Sequence, residues 1–86
     1  MSENIDYIVK DEDGELRYII SVNLKKYREE KGLTQTELGE KFGKAKTTVA
    51  SWEGGKALPD AGLLYRIAKY LGRNIEDMYQ FKKTES

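Results

Sequence analysis

Two kinds of hydrophobic spacing divide the chain, alternation near the start and helical periodicity afterwards. From Ile5 to Val22, β-branched and aromatic residues dominate. Ile5-Asp6-Tyr7-Ile8-Val9-Lys10 runs up to Asp11-Glu12-Asp13-Gly14, and Glu15-Leu16-Arg17-Tyr18-Ile19-Ile20 runs away from it. Alternation on both sides of an acidic, glycine-containing turn predicts a β-hairpin. Its apolar groups fall on both faces: Ile5, Tyr7 and Val9 against Ile8, and Leu16, Tyr18 and Ile20 against Ile19. An isolated hairpin is marginal in water, so this one is expected to pack on the remainder of the chain or to pair with a second chain.

From Val22 the spacing predicts five helices. The first covers about 23–31 and stops at Gly32. The second has a full set of start signals: Thr34 as cap, Glu37 three residues on to reach back, and Leu33 and Leu38 as a hydrophobic staple. It runs to Phe42 and breaks at Gly43. A third helix, from Ala45 or Lys46 to Glu53, ends at Gly54-Gly55. Pro59-Asp60 opens a fourth, whose Leu63, Leu64, Ile67, Ala68 and Leu71 form one apolar stripe. Gly72 closes it, Asn74 caps a short fifth helix bearing Ile75 and Met78, and Gln80 to Ser86 reads as a polar tail.

The second and third helices, joined through Gly43, have the form of two short helices crossing steeply, with the second projecting outward. Gly39 leaves a spot without a side chain where another element can approach. Val49 and Trp52 share the inward face of the third helix, which leaves Lys46, Thr47, Ala50 and Ser51 outward. Small and hydrogen-bonding side chains led by a cation suit a helix entering a DNA major groove.

Composition narrows the function classes. The 86 residues hold no cysteine and no histidine, which removes disulfides, thiolate chemistry, Ser-His-Asp triads and most zinc hydrolase sites. No enzymatic role, cofactor or metal is expected. The acidic turn Asp11-Glu12-Asp13-Gly14 lacks EF-hand ligand spacing. No apolar run approaches the ~20 residues of a membrane span, so a cytoplasmic protein without membrane attachment is expected. Net charge is zero, yet unevenly distributed: residues 1–22 carry six acidic and two basic side chains, while 41–56 carry Lys41, Lys44, Lys46 and Lys56 against Glu53 alone. Local fields of this kind attract phosphate.

The run Leu33-Thr34-Gln35-Thr36-Glu37-Leu38-Gly39-Glu40-Lys41-Phe42-Gly43, followed by Thr48-Val49-Ala50-Ser51-Trp52-Glu53-Gly54-Gly55-Lys56-Ala57-Leu58-Pro59, resembles the Xre family of phage repressor and Cro-like helix-turn-helix proteins. The likeness spans about 23–80. It implies a mainly α, five-helix, lambda-repressor-like domain over 23–80; the N-terminal β-hairpin (1–22), which the likeness does not cover, and the polar tail (81–86) are additions to that fold. It also implies that Gln35 touches DNA backbone, that Lys46, Thr47 and Ser51 read base edges beside Ala50, that Thr48 and Lys56 meet phosphate, and that Arg28 and Glu53 form an ion pair. Two positions depart from the family pattern. Lys44 replaces a common apolar residue and is available to phosphate, and Ala45 replaces a common Ser or Thr cap.

The function implied is a sequence-specific transcriptional regulator, a repressor binding a pseudo-palindromic operator in double-stranded DNA as a homodimer. The hairpin or helix five would supply the dimer surface. The alternative is an antitoxin or protein-binding module that also regulates its own operon, with the hairpin receiving a small protein partner.

Overall fold

The computed structural model of the chain describes residues 5–8 and 15–82, with side chains over 15–80. Strand β1 (Ile5–Ile8) is followed by helices α1 (Glu15–Glu30), α2 (Gln35–Lys41), α3 (Lys46–Glu53), α4 (Ala61–Tyr70) and α5 (Ile75–Met78), and by strand β2 (Gln80–Lys82).

The expected N-terminal β-hairpin is not formed. Its second arm is the beginning of α1, which starts at Glu15 rather than near Asn23. The reason lies in Ile19 and Ile20, 1% and 3% exposed. A strand would send adjacent side chains to opposite faces. On a helix Ile20 joins Leu16, Leu24 and Tyr27 in a single stripe against the core, and Ile19 beside that stripe is buried as well. The first arm does hold a strand, but β1 pairs antiparallel with β2 at the far end of the chain, with Ile5 opposite Lys82, Tyr7 opposite Phe81 and Ile8 opposite Gln80. The register is irregular between Ile5 and Tyr7. Residues 80–82 are therefore a strand and not part of a polar tail. The turn Asp11 to Gly14 and residues 83–86 lie outside the described residues.

Helices α2 to α5 follow local signals. The Thr34 hydroxyl accepts from the Glu37 backbone N–H at 3.0 Å and the Glu37 carboxylate accepts from the Thr34 N–H at 2.8 Å, the reciprocal capping expected there. Asp60 caps α4 by accepting from Leu63 N–H at 2.8 Å, and the Asp77 carboxylate accepts from the Asn74 N–H at the head of α5. The core gathers Leu24 and Tyr27 of α1, Leu38 of α2, Val49 and Trp52 of α3, the whole α4 stripe and Met78. Burying each large apolar side chain contributes about 1.5–3 kcal/mol.

Asn23, 3% exposed, links α1 to the segment from α5 to β2. Its Nδ2 donates to the carbonyl oxygens of Asp77 (3.1 Å), Met78 (3.0 Å) and Gln80 (2.9 Å). An amide has two N–H groups, so one of these is shared between acceptors. Asn23 thereby holds the end of α5 and the start of β2 on α1. Among the described residues no helix is long and apolar enough to cross a membrane.

Candidate nucleic-acid interface

The α2–α3 corner is set by two glycines. Gly43 takes φ +71°, a left-handed conformation that β-carbon sterics disfavour. Gly39 is buried where the backbone of the turn crosses α2: a β-carbon there would collide with the Lys44 carbonyl oxygen and lie 3.3 Å from Val49 Cγ2. The same contact is held by the Lys44 N–H donating to the Gly39 carbonyl at 2.8 Å. The element that approaches Gly39 is thus mainly the turn itself.

With the corner fixed, α3 has two distinct sides. Val49 and Trp52, 0% and 4% exposed, face the core. Lys46, Thr47 and Ala50 are exposed, and Ser51 and Thr48 are half-buried beside them. Lys44 and Lys56 are exposed before and after the helix, and Gln35 is half-buried at the head of α2. The structure brings the sequence-derived candidates to α3, its two flanking loops and the facing end of α2. At the leading end of α3, Ala45 supplies no side-chain cap. Its carbonyl accepts from the Thr48 and Val49 N–H groups at 3.0 and 3.2 Å.

The trailing end is held by charge. Arg28 Nε and Nη2 donate to Glu53 Oε2 and Oε1 at 2.6 and 2.9 Å, a bidentate pair with side chains 9% and 4% exposed. Arg28 Nη1 also donates to the Leu33 carbonyl at 2.7 Å. The hydrogen bond to Glu53 raises the Arg28 pKa above its ordinary value, against the opposing effect of burial. Glu53 Oε1 further accepts from Gln35 Nε2 at 3.0 Å, so one carboxylate ties α1, α2 and α3 together. The acidic charge of α3 is thereby turned inward and neutralised. Lys44, Lys46 and Lys56 make no ion pair among the described residues.

Two residues assigned to the hairpin join this framework instead. Ser21 Oγ donates to the Trp52 carbonyl at 2.7 Å, and Arg17 Nη1 donates to the Lys56 carbonyl at 3.1 Å. Arg17, Ser21, Leu24 and Arg28 lie at i, i+4, i+7 and i+11, a single face of α1. That spacing was present in the sequence, masked by the apparent alternation. Among the described residues no group of three or more carboxylates is placed to hold a metal ion.

Residues 24–78 match the helix-turn-helix family. A protein of Methanocaldococcus jannaschii named an uncharacterized HTH-type transcriptional regulator is 39% identical over 62 residues, covering 72% of this chain and 94% of that protein. One of the same description from Methanothermobacter thermautotrophicus is 42% identical over 57 residues, covering 65% and 83%. Among solved structures, the clp gene regulator ClgR of Corynebacterium glutamicum superposes with a TM-score of 0.68 at 27% identity, over 73% of this chain and 67% of that one. Hydroxypropylphosphonic acid epoxidase from S. wedmorenis does so with a TM-score of 0.68 at 30% identity. That match takes in 74% of this chain but only 34% of the epoxidase, so the likeness concerns about a third of that enzyme.

Proposed function

Because the chain belongs to the helix-turn-helix family, whose similar members are named as transcriptional regulators, we propose that it is a cytoplasmic, sequence-specific regulator that represses by occupying a pseudo-palindromic operator as a homodimer. The observation that carries this reading is the α3 edge. Lys46, Thr47 and Ala50 are exposed with Ser51 beside them, while Glu53 is withdrawn into the ion pair with Arg28.

In this reading α3 enters the major groove. Lys46, Thr47 and Ser51 read base edges, and Ala50 packs against the floor, where a methyl group suits thymine. Gln35, Thr48, Lys44 and Lys56 grip phosphates on either side, and these contacts set the register of α3. The bond to Glu53 fixes one side of the Gln35 amide, leaving its remaining polar atoms for the DNA backbone. A single short helix reads few base pairs, so two copies would occupy half-sites about one DNA turn (~34 Å) apart. The dimer surface cannot be the hairpin, which is not formed. The remaining candidate is α5, where Ile75 and Tyr79 are half-buried while Met78 is fully enclosed. The antitoxin alternative placed its partner on the same hairpin, and no observation favours it.

Selection of bound sequences from a random duplex pool tests the reading. It should return two related half-sites in inverted orientation, and sedimentation of the complex should give two chains per duplex. Failure to enrich any sequence, with duplex binding absent even at low salt, would overturn the assignment.

A further inference from the structure

The helical segment before residue 24 lies outside the part of the chain that matches the family, and it places a cation at the α3–α4 loop. Arg17 is exposed and donates Nη1 to the carbonyl of Lys56, which is itself exposed. Four residues along the same face, Ser21 bonds the Trp52 carbonyl, and its Oγ lies 3.7 Å from where a β-carbon on Gly55 would stand. The first turns of α1 are therefore seated on the loop, with the Arg17 guanidinium held on the backbone of Lys56.

Neither cation makes an ion pair among the described residues. Glu15 is two residues from Arg17, and positions two apart on a helix do not face each other. Glu53, the acidic residue that ends α3, is engaged by Arg28 and Gln35. A guanidinium presents five N–H donors in a fixed fork suited to phosphate oxygens, and the bond to Lys56 leaves Arg17 most of them. We propose that Arg17 is a further DNA-phosphate contact, extending the grip of the Lys56 loop onto α1. The proposal rests on the DNA-binding reading above and adds a residue from the predominantly acidic segment 1–22.

The test compares the full chain with Arg17→Ala, Arg17→Lys and Arg66→Ala, the last removing an exposed cation on α4. Affinity for a random-sequence duplex is measured across a salt series, alongside thermal melting. A lost phosphate contact lowers the log–log salt slope by about 0.9. Raising salt from about 50 to 200 mM should then weaken Arg17→Ala roughly 3.5-fold less than the parent. Arg17→Lys should keep the parental slope, Arg66→Ala should match the parent, and the melting temperature of Arg17→Ala should stay close to the parent's. A parental slope in Arg17→Ala overturns the proposal, even if affinity falls, because Arg17 would then only brace the loop. An equal slope change in Arg66→Ala also overturns it, pointing to overall charge. If the parent itself binds no duplex, the DNA-binding reading fails, a result separate from either of these.

Discussion

The two ends of α3 are built in opposite ways. At its trailing end, three residues on one face of α1 fasten it: Arg28 to Glu53, Ser21 to the Trp52 carbonyl and Arg17 to the Lys56 carbonyl, with Gln35 of α2 joining at Glu53. At its leading end Ala45 gives no side-chain cap, and Lys46 and Thr47 stand in solvent. A helix anchored at one end and bare at the other presents donors and a cation without losing its orientation. The trailing end is held by side chains, the leading end by the backbone of the α2–α3 corner. Arg28 and Ser21, which face the interior, thus help to decide the geometry of α3 without reaching its exposed edge.

The sharpest way to break this asymmetry is to remove Glu53. Glu53→Ala strips the buried Arg28 guanidinium of its bidentate partner and leaves it, among the described residues, only the exposed Glu29 carboxylate at 3.8 Å as an acidic partner, which is expected to destabilise the fold by about 3–5 kcal/mol, read as a lower denaturant midpoint. Gly39→Ala attacks the corner instead. Its methyl group meets the Lys44 carbonyl, which belongs to the backbone and cannot rotate away, and overpacking of this kind costs about 1–3 kcal/mol or more by the same measurement.

The bare end should respond in the other observable. Thr47→Ala or Lys46→Ala is expected to leave stability within about 0.5 kcal/mol. Binding to the selected operator should weaken by about 1–3 kcal/mol, with base preference relaxed. Loss on random DNA as large as that on the operator would move these residues from reading bases to holding phosphate. The smallest effect tests the missing cap. Ala45→Ser restores a side-chain acceptor at the head of α3 and should add about 1 kcal/mol of stability. An unchanged midpoint would mean that this end is already satisfied without a cap.

Legibility in the sequence followed the range of the interactions involved. Thr34 and Glu37, Asp60 and Leu63, and the glycine at 43 act within a few residues of themselves, so their roles could be read from neighbours. The α4 stripe could be read because five apolar residues repeat at a spacing that only a helix places on one side. Residues 15–22 misled because Leu16, Tyr18 and Ile20 satisfy a period of two almost as well as Leu16, Ile19, Ile20 and Leu24 satisfy a helical one. Over so short a stretch the two patterns overlap.

What the amino-acid order determined alone is the set of locally coded helices from Thr34 to Met78 and the outward character of Lys46, Thr47 and Ala50, since capping and periodicity are short-range. Only the tertiary structure decided that β1 pairs with β2, that Asn23 holds the end of α5 and the start of β2, and that Arg17 and Ser21 sit on the loop after α3. Each of these joins residues 31 or more positions apart. Such contacts carry a loop-closure entropy that only burial of the shared core around Leu24, Leu38, Val49 and Ile67 offsets, so no local pattern of residues encodes them.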